Sequence, residues 1–250
     1  MSRIPLYVAF AMCLLIFFTA SVRTFKLPGA IDTAKRLEAN FVKAKPKLPR
    51  FRSFFQIPAS REVHDVVVIM DGSGSVSSCE FDKAKMALRY LLTMKNNYVD
   101  LKYAAITFSD SATVNFNFLP EYFAVGQMNR ITHPGGGSNT QAALVKAMEL
   151  FENSWAGRRP NADKKIVLLV TDGGSNSFSQ TKAKAQELKK SGIEIFVIAV
   201  SGYFNGIAEI KEVASTPPEK FFYAASGLWE VVKQIAKHIS PPVSIGDYKC

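Results

Sequence analysis

The sequence predicts a doubly wound α/β fold: a mostly parallel six-stranded sheet with one antiparallel edge strand and helices on both faces. Three observations predict it. The apolar runs "VVVIM", "IVLLV" and "IFVIAV" are continuous rather than alternating, which suits parallel strands buried on both sides. Amphipathic stretches at helical spacing separate them. One stretch, "ATVNFNF", does alternate and follows its neighbour after a short turn at Ser109 to Ser111, as a half-exposed antiparallel edge strand does.

Taken in order, "HDVVVIM" reads as a buried strand. "EFDKAKMALRYLLTMK" sets Phe81, Ala84, Met86, Leu88, Leu91 and Leu92 near helical spacing. "DLKYAAITF" and "ATVNFNF" form the hairpin. "NTQAALVKAMELFEN" is helical, "KKIVLLVTD" a strand, and "SQTKAKAQELKKSG" a helix closed by Gly192. "IEIFVIAV" is a strand, "GIAEIKEVAS" a helix, "EKFFYAA" a short strand and "GLWEVVKQIAKHI" the last helix. Phe108, Phe116, Phe118 and Trp229 are expected in the core.

The chain ends read differently. Arg3, an apolar run from Ile4 to Ala20 and the small residues Thr19, Ala20 and Ser21 have the make-up of a secretory leader over residues 1–21. The alternative is a membrane anchor formed by residues 4–20, a run near the lower limit for crossing a bilayer. Residues 22–62 are basic and interrupted by proline, and read as a solvated linker or pro-segment. Of the net charge of +10, residues 22 to 64 hold +7, so the folded part, residues 63–240, is near neutral. The charge therefore argues for no nucleic-acid partner; its one electrostatic use is contact of residues 22–62 with an anionic surface. No Asn-x-Ser/Thr acceptor occurs, so N-glycosylation is not expected.

Ligands of such sheets bind beyond the carboxyl ends of the strands. Three loops there are rich in small polar residues: "DGSGS" from Asp71, "HPGGGSNT" from His133, and "TDGGSN" from Thr171. A phosphate fits them poorly. Ser77 stands where a dinucleotide loop needs its third glycine, no P-loop lysine is present, and Asp71 would repel the anion. A nucleophilic serine fits poorly too, because Asp71 occupies the first glycine position of a G-x-S-x-G elbow and only three histidines exist, His64, His133 and His238. A cation fits best. Asp71, Ser73 and Ser75 alternate, Ser138 or Thr140 offers a second-loop hydroxyl, and Asp172 a second carboxylate. Oxygen-only donors suit a hard ion, Mg²⁺ first, with Mn²⁺ or Ca²⁺ as alternatives. Two carboxylates with neutral hydroxyls would leave the ion short of ligands and open to an acidic side chain of a partner. Taken one at a time, these loops are no more than turns.

The motifs "DGSGS", "GGGSNTQAAL" and "VTDGGSN", in that order, resemble those of the von Willebrand factor type A domain, from about Val63 to Ile239. Similarity is greatest to matrix members of the matrilin and collagen VI kind and to integrin inserted domains. The resemblance implies a metal-ion-dependent adhesion site in which Ser73 and Ser75 coordinate directly, Asp71 stands close, and Asp172 supplies the third-loop acid. The family's second-loop threonine is replaced by Ser138, with Thr140 two residues on. It implies a secreted adhesion or extracellular-matrix module that binds a protein such as collagen, and no enzyme. A metal-dependent hydrolase on the same loops, or a structural module with a vestigial site, are the alternatives. Cys79 opens the first helix at the top of the sheet and Cys250 follows the last helix, expected at the bottom. The two are not expected to meet, which leaves Cys250 to link chains or stay free.

Overall fold

The structure, a computed structural model, describes residues 29–42, 61–94, 99–200, 206–238 and 245–249. The sheet is organised around β1 (Glu62–Asp71), which pairs in parallel with β2 (Val99–Phe108) on one side and β4 (Lys164–Thr171) on the other. Its residues 64 to 71 are all buried, as the unbroken apolar run requires. β3 (Ala112–Pro120) lies antiparallel to β2 at one edge, and β5 (Ile193–Val200) and β6 (Phe222–Ala225) extend the other side in parallel. The order is β3-β2-β1-β4-β5-β6, so the six-stranded mixed sheet expected from the sequence is the one found.

Eight helices flank it among the described residues: α1 (Ala30–Leu37), α2 (Ser78–Leu92), α3 (Glu121–Met128), α4 (Thr140–Glu152), α5 (Phe178–Lys190), α6 (Ile207–Val213), α7 (Pro218–Phe221) and α8 (Leu228–His238). α1, α2, α3 and α8 gather on one face, and α4, α5 and α6 on the other. Two helix starts aim at the top of the sheet through their caps. Ser77 Oγ accepts from Glu80 N ahead of α2, and Asn139 Oδ1 from Ala142 N ahead of α4. Phe108, Phe116, Phe118 and Trp229 are buried, as expected.

Two elements differ from expectation. α3 has no clear signature, because Tyr122, Phe123, Ala124 and Val125 are apolar in succession and Gly126 interrupts them; burial of Ala124 and Met128 holds it in place. Residues 30–42, read as part of a solvated basic arm, form α1 and a continuing π-helical turn, Glu38–Val42. Asp32 and Lys35 face outward, while Thr33, Ala34, Leu37 and Val42 are buried. The anchor is the free edge of β6: Thr33 Oγ1 donates to Ala224 O (2.9 Å), and Arg36 Nη2 to Phe222 O (2.9 Å) and Glu219 O (2.7 Å). Phe41 packs edge-on against Phe196. The charge count concealed this short apolar stripe.

The chain end also departs from expectation. After α8 it doubles back: Ile245 is buried, Asp247 pairs with Lys233, and Tyr248 lies 5.5 Å, ring to ring, from Trp229 in the first turn of α8. The chain thus returns toward the top of the sheet, and the ground for keeping its end far from Cys79 falls away. Cys79 is disulfide-bonded, to a partner outside the described residues. Among those described, no helix is long and apolar enough to cross a membrane; residues 1–21, with the expected leader, lie outside them.

If α1 belongs to the fold, Leu37→Ala should lower stability by about 2–5 kcal/mol, the range for truncating a fully buried leucine, and a chain beginning at Arg61 should unfold at lower urea than the full chain. Urea titration followed by circular dichroism measures both. Unchanged midpoints would return α1 to the status of an appendage.

Candidate metal centre

The first loop leaves β1 at Asp71, a residue only 6% exposed. Both oxygens are used: Oδ1 accepts from Ser73 N (2.9 Å), and Oδ2 from Thr171 Oγ1 (2.6 Å) on the end of β4. Burial is the main influence on this group and raises its pKa above the ordinary carboxylate value; the two hydrogen bonds work against burial, and the nearby charge of Asp172 adds to it. Ser73 is buried and its Oγ lies 2.9 Å from Ser75 Oγ, so alternation does bring the two hydroxyls together. Gly72 has a steric reason. A Cβ there would come within 2.5 Å of Pro134 Cδ in the second loop.

The second loop is laced to the first by backbone hydrogen bonds. Gly135 N donates to Gly72 O (3.0 Å), and Gly74 N to Gly136 O (2.7 Å). His133, which the sequence places just before a turn, has Nε2 3.2 Å from Ser73 O and packs on Phe81. Asp110, on the β2–β3 turn, accepts from Gly137 N at 2.8 Å. Gly136 sits at φ 106° with Asp110 Oδ2 2.3 Å from where a Cβ would lie, so only glycine fits. Thr140 opens α4 and is buried. Ser138 Oγ is buried without a hydrogen-bond partner.

The third loop carries Asp172, half-buried, and joins the second through Asn176: Ser138 N donates to Asn176 Oδ1 (3.1 Å) and Asn176 N to Ser138 O (2.8 Å). From α6, Glu209 Oε1 accepts from Ser175 N (3.1 Å) and Ser175 Oγ (2.6 Å) and so holds the loop down. Asp71, Ser75, Thr171 and Asp172 line a single cavity of about 520 Å³.

The structure thus gathers Asp71, Ser73, Ser75 and Asp172 at one strand-end edge and ties the Ser138 loop to them, with Thr140 in the first turn of the next helix. Among the described residues no group of three or more His, Cys, Asp or Glu converges, so a cation here would depend on hydroxyls as well as carboxylates. The donors fit a hard ion. They are oxygens, two are carboxylates, and one buried hydroxyl lacks any other partner. Asp110 and Glu209, which help position the loops, carry no signal in the sequence, because each lies far along the chain from its contact. His133 and Asn176 stand inside the polar loops the sequence singles out, but their bonds to Ser73 and Ser138 depend on the fold.

The von Willebrand factor type A domain model matches residues 65–237. Integrin alpha-2 of Mus musculus is 30% identical over 180 residues, 67% of this chain and 15% of that protein. Collagen alpha-4(VI) chain of Mus musculus is 26% identical over 216 residues, 82% of this chain and 9% of that protein. The chain therefore spans a small part of the relatives it matches. Proximal thread matrix protein 1 from the mussel byssus, solved with its MIDAS motif occupied by zinc, superposes with a TM-score of 0.58 at 20% identity, over 71% of this chain and 46% of that one.

The raised pKa of Asp71 gives a signed expectation. The folded state holds the proton more tightly than the unfolded chain, so this group's share of metal-free stability is present below the ordinary carboxylate value and is lost as pH rises through the raised one. Asp71→Asn should flatten that fall, since an amide can still accept from Ser73 N. Urea unfolding in EDTA from pH 4 to 7 measures it, and parallel curves for variant and wild type would contradict it.

Proposed function

The chain belongs to the von Willebrand factor type A domain family, and from that premise we propose that it is a secreted adhesion or extracellular-matrix module that grips an acidic side chain of a protein partner through a divalent cation. The observation that carries this reading is the buried, unpartnered hydroxyl of Ser138, in a loop tied to those of Asp71 and Asp172. A buried hydroxyl without a partner costs free energy, and an ion beside it would remove that cost.

Asp71, Ser73, Ser75, Ser138 and Asp172 would hold the ion, with Thr140 as the alternative in the second loop. When bound, the ion supplies a Lewis-acidic position for a carboxylate. Mg²⁺ suits this set because it tolerates few protein oxygens and keeps water for the rest; Mn²⁺ and Ca²⁺ are the alternatives. The protein's own part is to hold the oxygens in place. Thr171 and Ser73 N fix Asp71, Asn176 fixes the Ser138 loop, and Glu209 fixes the Asp172 loop. The kinship with integrin and collagen chains supports collagen or another matrix protein as the partner and a binding role rather than an enzymatic one.

Titration of the EDTA-stripped chain with MgCl₂ in a calorimeter tests the ion, and retention on immobilised collagen with Mg²⁺ against EDTA tests the partner. Asp71→Ala removes one of two carboxylates and should abolish both signals while leaving the fold intact. Ser138→Ala should weaken Mg²⁺ roughly tenfold, the equivalent of one lost oxygen contact of about 1.4 kcal/mol. Equal heats for Asp71→Ala and wild type would falsify the reading.

A further inference from the structure

α2 and α3 leave between them a groove of about 490 Å³, lined by Arg89, Glu121, Tyr122, Phe123, Gly126 and Arg130, and it shares no residue with the cavity at Asp71 and Asp172. Three features of this groove have no explanation inside the fold. Tyr122 and Phe123 are 85% and 60% exposed and stand edge to face with ring centroids 5.4 Å apart, so two large rings meet water side by side. The groove's arginines have no carboxylate partner among the described residues. Arg130 is exposed and its guanidinium makes no hydrogen bond or ion pair among the described residues, while Arg89 donates only to Met86 Sδ (3.0 Å) and leaves a buried Nε unpaired. Glu121, the acid on the same wall, is already engaged. The third feature is Gly126, in the interior of α3. Glycine weakens a helix relative to alanine, yet a Cβ here would meet nothing within 4 Å and no unusual dihedral calls for glycine. What its bare backbone does provide is room for something to approach α3 from outside.

We propose that this groove is a second interaction surface, which takes an acidic segment of a protein partner: carboxylates on Arg89 and Arg130, and an apolar side chain laid over Gly126 against Tyr122 and Phe123. Charge complementarity names the occupant. Two guanidinium groups suit carboxylates, and the exposed fork of Arg130 can bind one bidentately. Exposed rings beside them suit an apolar side chain next to the acid. A sulfated polysaccharide fits less well, because it needs a row of cations where this groove offers two, and it brings no apolar side chain for the exposed rings.

The test uses the full chain in EDTA, which keeps any cation-dependent binding silent. The probe is a fluorescein-labelled peptide of sequence glycine–glutamate–phenylalanine–glutamate–glycine, followed by fluorescence anisotropy, with its glutamine counterpart and a labelled heparin hexasaccharide alongside. Saturable binding of the acidic peptide alone is expected. The double variant Arg89→Gln, Arg130→Gln should weaken it about tenfold or more, as the loss of charge-assisted hydrogen bonds implies. Gly126→Leu should abolish it while leaving circular dichroism unchanged; should that variant not fold, the arginine pair still decides. Undiminished binding by the arginine variant, equal binding of the glutamine peptide, or saturable binding of the hexasaccharide in place of the peptide would each overturn the proposal.

Discussion

Burying the carboxylate of Asp71 at the carboxyl end of the central strand strips a charged group of its water, and the top of the molecule is arranged around that cost. Inside the fold the group is offset by hydrogen bonding from Thr171 on the neighbouring strand and from Ser73 in its own loop. Neither carries a charge, and the carboxyl is left holding its proton more tightly than it would in water. Two strand ends and a loop are thereby committed to one acid. A cation placed there would meet oxygens already in position and would compete with the proton for the same carboxylate, so ion binding should weaken as pH falls.

The loops around that acid are irregular backbone, and irregular backbone at the top of a sheet has to find hydrogen bonds outside the ladder. It finds them in the other loops. Gly72 and Gly74 bond to Gly135 and Gly136, and Ser138 to Asn176. The glycines are therefore more than turn formers. Gly72 makes way for Pro134, and Gly136 for Asp110. The result is a surface in which displacement of one loop pulls on the other two, which is how a site built from separate strand ends can act as one.

Much of this was legible in the sequence, for physical reasons. Strands buried on both faces must be continuously apolar, so "VVVIM", "IVLLV" and "IFVIAV" announced the sheet, and the alternation of "ATVNFNF" announced its edge. The small polar clusters after those runs marked the loops. What escaped was whatever depends on contacts distant in sequence. Glu209 and Asp110 look like ordinary surface acids until the fold brings Ser175 and Gly137 to them. The helix from Glu121 lacks a clean stripe because its aromatic residues face water. The helix from Ala30 was hidden by its own lysines and arginines, since charge describes its outer side and says nothing of Leu37.

That N-terminal helix has a further bearing on how copies of the molecule can meet. The carbonyls of Phe222 and Ala224 lie two residues apart, on one side of the last strand, and Thr33 and Arg36 occupy them. A sheet grows by adding strands at its margins, and this margin is closed. Among the described residues, β3 at the opposite margin is the edge strand with no further strand beside it. Addition of a second molecule there, β3 against β3, would consume the open margin of both and leave none for a third. Growth by that route alone would stop at a pair.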